Sequence, residues 1–132
     1  MYVTDTHPLA FYTGDQTSKL SKKALKIFEE CEQGNLVIYI PAAVLWVYST
    51  LVRAGKIKIK SVNFETWCQR FFKNPTFLFQ TLEIDHIMRA HQLNFHNDPF
   101  DVLIVATAKI LDMPLITKDR IITDAHVVDV VW

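Results

Sequence analysis

The 132-residue chain is short of the residues that staple or break structure, with only three glycines and two cysteines. The cysteines, Cys31 and Cys68, give neither a metal-finger spacing nor a disulfide framework. Each falls in a helical apolar pattern and reads as a reduced thiol in or near the core of a cytoplasmic protein. The chain also lacks excess charge, with 14 Lys and Arg against 14 Asp and Glu. That excludes a basic nucleic-acid coat and an acidic tail, so any nucleic-acid binding must come from a local arrangement of charge. No apolar run reaches the roughly 18 residues of a membrane span. The opening Met1–Asp5 has neither a basic segment nor a long apolar one and does not read as a signal peptide. There is no repeat, low-complexity segment or linker, so residues 1–132 are expected to form a single domain. What is present is apolar: half of the residues are hydrophobic and 21% are charged, which excludes a disordered chain.

Strand and helix signals alternate. Met1–Thr4 is short, apolar and β-branched, and Pro8 suits the first turn of a helix capped by Thr6 or His7. In 18–33, Leu20, Ala24, Ile27, Phe28 and Cys31 recur at helical spacing, and Gly34 stops the helix. Leu36–Ile40 is a continuous apolar run, the mark of a strand covered on both faces. Pro41 opens a helix to about Ala54. Ser61 and Asn63 are candidate caps for the next, carrying Phe64, Trp67, Cys68 and Phe71. A strand within 76–83 and a helix capped by Asp85 and running to Leu93 follow. Asp98-Pro99-Phe100-Asp101 is a strong helix start, with Asp98 as cap, Pro99 at the first position and Asp101 at the third. Val102–Ala106 is apolar all round, which predicts a buried helix. Leu115–Thr117 and Val127–Val131 are the last strands. The alternation implies an α/β fold: a three-layer α/β/α sandwich around a mostly parallel sheet.

Ligands of such sheets bind outside the carboxyl ends of the strands. Asp5 closes the first strand, Asp119 follows the strand at 115–117, and Asp101 sits in the first turn of the buried helix. Carboxylates drawn to one rim repel one another unless a cation is present, and oxygen ligands suit Mg²⁺ or Mn²⁺. Metal-assisted phosphodiester hydrolysis fits that set. Each acid also has a plainer role. Asp5 and Asp98 are potential helix caps, Asp101 complements a helix dipole, and Asp119 is a potential turn residue. The case rests on their convergence.

Three stretches carry a family likeness. Val3-Thr4-Asp5-Thr6-His7-Pro8-Leu9 resembles the strand-to-helix opening of PIN-domain ribonucleases, in particular the VapC-type toxins of bacterial toxin–antitoxin pairs. His96-Asn97-Asp98-Pro99-Phe100-Asp101, continuing through Val102–Ala108, resembles their HRDPFDRLLVAQA-like stretch. Pro114-Leu115-Ile116-Thr117-Lys118-Asp119 resembles their PLVTxD-like stretch, and Val130-Val131-Trp132 fits the ending. The resemblance implies a PIN-like sandwich in which Asp5, Asp101 and Asp119 bind Mg²⁺ or Mn²⁺ and cleave RNA. Asp98 matches the accessory acid, and a homodimer and a cognate antitoxin are the implied protein partners. One position departs. The family usually has a Glu in a segment like SLWEIA, where this chain has Val47 in Val44-Leu45-Trp46-Val47-Tyr48-Ser49. Asp98 is the nearest substitute in sequence. The alternative to a nuclease is therefore a PIN-like scaffold, weakened or inactive, that binds antitoxin or RNA. A receiver-type signalling domain fits less well, because no Asp follows 36–40 and the first strand ends in one acid rather than an adjacent pair.

Lys118 and Arg120 flank Asp119 and are candidates for an RNA phosphate, or solvated charges beside a turn. Arg53, Lys56, Lys58 and Lys60 follow a helix C-terminus, where the dipole and solubility explain them as well as RNA does. His7 and His96 stand beside the acids as substrate-binding or structural groups, outside the catalytic set. Trp67, Phe71, Phe72, Phe77 and Phe79 read first as core, then as a groove or dimer face for an antitoxin helix, and third as a base-stacking surface, since no regular basic interleaving accompanies the rings.

Overall fold

The computed structural model describes residues 1–60 and 62–132. Its order is β1 (Tyr2–Thr4), α1 (Thr6–Thr13), a 3-10 turn (Thr17–Lys19), α2 (Lys22–Glu32), β2 (Ile38–Pro41), α3 (Ala42–Arg53), α4 (Phe64–Phe71), β3 (Phe77–Gln80), α5 (Ile84–His91), α6 (Pro99–Leu111), β4 (Leu115–Ile116), α7 (Arg120–Ala125) and β5 (Val130–Val131). The five strands form one sheet in the order β3-β2-β1-β4-β5, and every pairing is parallel. Successive strand residues point to opposite faces. Val3 and Thr4 of β1, and Leu115 and Ile116 of β4, are all fully buried. Both faces of the sheet are therefore covered where these strands run, as the apolar composition of the strands requires.

Several boundaries differ from the sequence reading, each because a side chain settles the helix start. Of the caps the sequence offers for α1, Asp5 and not Thr6 or His7 is the one used: its Oδ1 accepts the Thr6 N–H at 2.6 Å. The helix expected over 18–33 begins only at Lys22, because the Ser21 hydroxyl accepts the Ala24 N–H at 3.0 Å and the residues before it form a 3-10 turn. Glu83, rather than Asp85, is the cap of α5, and its N–H donates to His86 Nδ1. Asn63 caps α4, while Ser61 lies outside the described residues. The aromatic middle divides. Phe77 is buried, Trp67 stacks on Tyr48 at 4.6 Å between ring centres, and Phe79 is 47% exposed.

The chain leaves β1 for β2 on one side and returns to β4 on the other. The crevice between the carboxyl ends of β1 and β4 is thus a topological switch point, where loops on either side diverge and leave room for a ligand. Register sets Thr4 beside Ile116, and the Asp5 N–H donates to the Ile116 carbonyl at 3.0 Å. Backbone pairing already holds the residues after β1 and after β4 side by side.

Candidate functional site

A cleft of about 230 Å³ opens at this switch point, lined by Asp5, Asp98, Asp101 and Asp119 together with Val47 and Lys118. The three acids expected at the rim, the accessory acid and the flanking lysine are brought together. Arg120, in the first turn of α7, is exposed and is not among the lining residues. A larger hollow of about 400 Å³ lies beside Lys109, Met113 and Asp129, at the amino ends of β4 and β5, and gathers no comparable set of acids.

The plainer role of each acid and its place in the cleft coexist, because a carboxylate has two oxygens. Asp119 caps α7 with Oδ1, which accepts the Ile122 N–H at 3.0 Å, and presents Oδ2 to the cleft. Asp98 caps α6, its Oδ1 accepting the Phe100 N–H at 2.8 Å. Asp5 caps α1 with Oδ1, while its Oδ2 accepts the Thr117 hydroxyl at 2.6 Å. The amino ends of α1, α6 and α7 therefore all meet the cleft, and their dipoles offset part of the gathered negative charge.

The offset is incomplete. Burial is the first cause that raises the Asp101 carboxyl, to about 6, and the charges of Asp5, Asp98 and Asp119 raise it further. Asp5, only 5% exposed, is also raised, chiefly by burial and against the lowering effect of the Thr117 hydrogen bond. Mutually raised carboxyls are what a divalent cation would relieve. An all-oxygen set in a small, water-accessible cleft matches the hard cations Mg²⁺ and Mn²⁺. Asp101 and Asp119 bring carboxylate oxygens within 4.8 Å of one another and fit such an ion, whereas Asp5 lines the same cleft but stands outside that close group.

Two polar groups organise this site: His96, which the sequence offers only as a substrate-binding or structural group, and a second that the sequence reading does not single out. His96 Nε2 lies 3.2 Å from Asp101 Oδ2 and 3.4 Å from Asp119 Oδ2, and the three ligand atoms fall within 4.8 Å of one another. Its other nitrogen, Nδ1, accepts the Asp98 N–H at 2.9 Å. An imidazole that accepts at Nδ1 carries its proton on Nε2. His96 therefore donates to Asp119 Oδ2, while Asp101 Oδ2 lies against the same nitrogen; in this tautomer Nε2 has no lone pair for a cation. Thr117, fully buried, is the second. Its hydroxyl donates to Asp5 and accepts the Asp119 N–H at 3.0 Å, so one oxygen joins the ends of β1 and β4. A Thr two residues before an Asp at a strand end is the signature of a side-chain turn, and that was the available signal.

The family model for the PIN domain matches residues 2–127. The chain belongs to the PIN domain family. Solved structures with the PIN fold superpose on nearly all of it. A toxin–antitoxin complex from Klebsiella pneumoniae matches with a TM-score of 0.65 at 18% identity, covering 100% of this chain and 97% of that one. VapBC2 from Rickettsia felis, bound to a DNA fragment from its promoter, gives 0.68 at 12% identity, covering 98% and 96%. FitAcB from Neisseria gonorrhoeae gives 0.66 at 16% identity, covering 98% and 96%. At these identities the likeness shows the fold. None of the curated proteins matches the chain. Within this PIN domain Val47, half-buried on α3, forms part of the cleft wall and supplies an apolar surface where a further carboxylate would reach the same space.

Proposed function

We propose that this PIN domain is a Mg²⁺- or Mn²⁺-dependent endoribonuclease, the toxin of a toxin–antitoxin pair. The observation that carries the reading is the convergence of Asp5, Asp101 and Asp119 on one small cleft at the switch point of the sheet. The toxin–antitoxin complex from Klebsiella pneumoniae, of similar fold, supports the cellular role. Asp101 and Asp119, beside His96, and Asp5, held by Thr117, would bind the cation, with Asp98 at the rim as accessory acid. A divalent ion so bound supplies Lewis acidity toward water and toward a phosphoryl oxygen. The chain's own residues do the remainder. Lys118, at the mouth of the cleft, neutralises an RNA phosphate, and the paired carboxylates fix where that phosphate can sit.

The protein partners follow from the same reading. A cognate antitoxin would close the cleft, and a homodimer would cover Ile84, Ile87 and Met88, three exposed apolar residues on one face of α5. A cytoplasmic location is consistent with free Cys31 and Cys68; no helix of the described residues is long and apolar enough to cross a membrane.

Incubation of purified, antitoxin-free protein with single-stranded and structured RNA tests the reading. Cleavage is expected with Mn²⁺, none with EDTA, and none from Asp5→Asn or Asp101→Asn. Absence of any cleavage with Mn²⁺ would leave the second reading, a PIN-like scaffold that binds antitoxin or RNA. Val47 is the observation that favours that scaffold, and calorimetry with Mn²⁺ separates the two, since a scaffold without a cation site gives no saturable binding.

A further inference from the structure

Beside the acidic cleft lies a second hollow, of about 410 Å³, between α1, the 3-10 turn and the segment after α3. Its apolar lining is Phe11, Leu51 and Ile57, and its rim carries Lys19, Lys56 and Lys58. His7 lines both hollows, so the two are adjacent. Lys118, which lines the acidic cleft, reaches over the Phe11 ring at 4.6 Å from its centre, and Lys19 reaches over the same ring at 5.4 Å. Lysines thus stand both at the mouth of the acidic cleft and around the adjacent second hollow.

The accumulation is local. The whole chain is neutral, yet among the described residues no carboxylate lines this hollow. Lys60, next in the same basic stretch, is paired with Asp15, whereas Lys19, Lys56 and Lys58 have no ion pair among the described residues. The α3 dipole does not account for Lys19, which arrives from a different part of the chain, 37 or more positions from Lys56 and Lys58.

We infer that this hollow is a nucleotide subsite for single-stranded RNA flanking the bond to be cut. Resting on the nuclease reading, it names where the substrate lies. Lys19, Lys56 and Lys58 take phosphates as point charges, and the Phe11, Leu51 and Ile57 floor takes a base. A base enters such a pocket only when it is free of a helical stack, so the strand is single. Adjacency to the acidic cleft favours the polyanion that would be cut there over an acidic protein segment, which has no reason to lie beside it.

Binding of a short, unstructured, fluorescently labelled oligoribonucleotide, measured by anisotropy in EDTA so that nothing is cleaved, tests this. The double substitution Lys56→Ala with Lys58→Ala is expected to weaken binding roughly tenfold and to lower the salt slope by about 1.4, two phosphate contacts at about 0.7 each. Lys22→Ala with Lys23→Ala, on the exposed start of α2, is expected to leave both unchanged. Equal loss in the two pairs would mean diffuse attraction and would overturn the subsite. So would unchanged RNA binding with loss of poly-glutamate binding, which assigns the hollow to protein. A duplex of the same sequence is expected to bind more weakly, and equal binding counts against a base pocket. Wild-type protein that binds RNA through these lysines but never cleaves it with Mn²⁺ would sink the nuclease reading and leave the subsite standing. Cleavage by a protein whose lysine variants bind normally would do the reverse.

Discussion

Thr117 donates its hydroxyl proton to Asp5 Oδ2 at 2.6 Å, joining residues 112 positions apart at the shared end of β1 and β4. Both are buried, so the bond is made in low dielectric, where leaving an acceptor unmatched is costly. Because the same hydroxyl accepts the Asp119 N–H, it sets the spacing of two acids at once. Thr117→Val keeps the shape and removes the bonds. It is expected to cost about 1–3 kcal/mol in urea unfolding and to weaken Mn²⁺ binding, while Thr117→Ser restores most of both. A valine variant with unchanged Mn²⁺ affinity would show that the hydroxyl does not position the acids.

Val47 faces the same cleft from α3. Val47→Glu adds a carboxylate to a site whose affinity depends on ligand charge. Mn²⁺ binding by calorimetry is expected to tighten about tenfold, or 1.4 kcal/mol, and the metal-free protein is expected to lose stability from one more like charge. Val47→Gln, isosteric but uncharged, should give neither effect. No gain from the Glu variant would mean that position 47 does not reach the cation.

The order of strands, the capped start at Asp98 and the acids at strand ends were legible because each is a local pattern: an apolar run, a Pro after a cap, an Asp where a β-branched run stops. His96 and Thr117 were not legible as partners. Asp98 and Asp101 belong to one helix turn, but the approach of His96 to Asp119 spans 23 positions and depends on how the loop before α6 folds back. Lys19 and Lys56 look like ordinary surface charges in sequence, and only the packing of α1 against α3 brings them to one hollow. Helix starts slipped at Ser21 and Glu83, where a cap one to four residues away competes on nearly equal terms.

His96 offers a test that separates holding the acids from binding the cation. With its proton on Nε2, bound Mn²⁺ should show no imidazole-nitrogen coupling in pulsed EPR. His96→Leu should still weaken Mn²⁺ binding roughly 10- to 100-fold, the usual cost of losing a group that orients ligands. His96→Gln, which keeps a donor and an acceptor, should recover part of the loss. A clear nitrogen coupling would instead make His96 a ligand and require the Asp98 N–H to give up Nδ1.

The pH response of the metal-free protein carries the sign of the crowding at Asp101. Folding raises this carboxyl from 3.8 to about 6, first through burial and then through neighbouring acids. Between those values the folded chain holds a proton that the unfolded chain has released, so stability falls as pH rises through the window and stays low above it. The Asp101 share is on the order of 3 kcal/mol, from a shift of about two units. Asp101→Asn removes it. In thermal unfolding the variant should therefore gain on the wild type as pH rises from 4 to 6 and stay more stable above. Saturating Mn²⁺ should reverse the wild-type trend, because the cation needs the ionised carboxylate and its affinity rises with pH until Asp101 is deprotonated. Asp101→Asn should gain nothing from Mn²⁺. If wild type and variant instead keep a constant stability difference from pH 4 to 8 without metal, the carboxylates are not crowded enough to call for a cation, and the metal centre loses its physical basis.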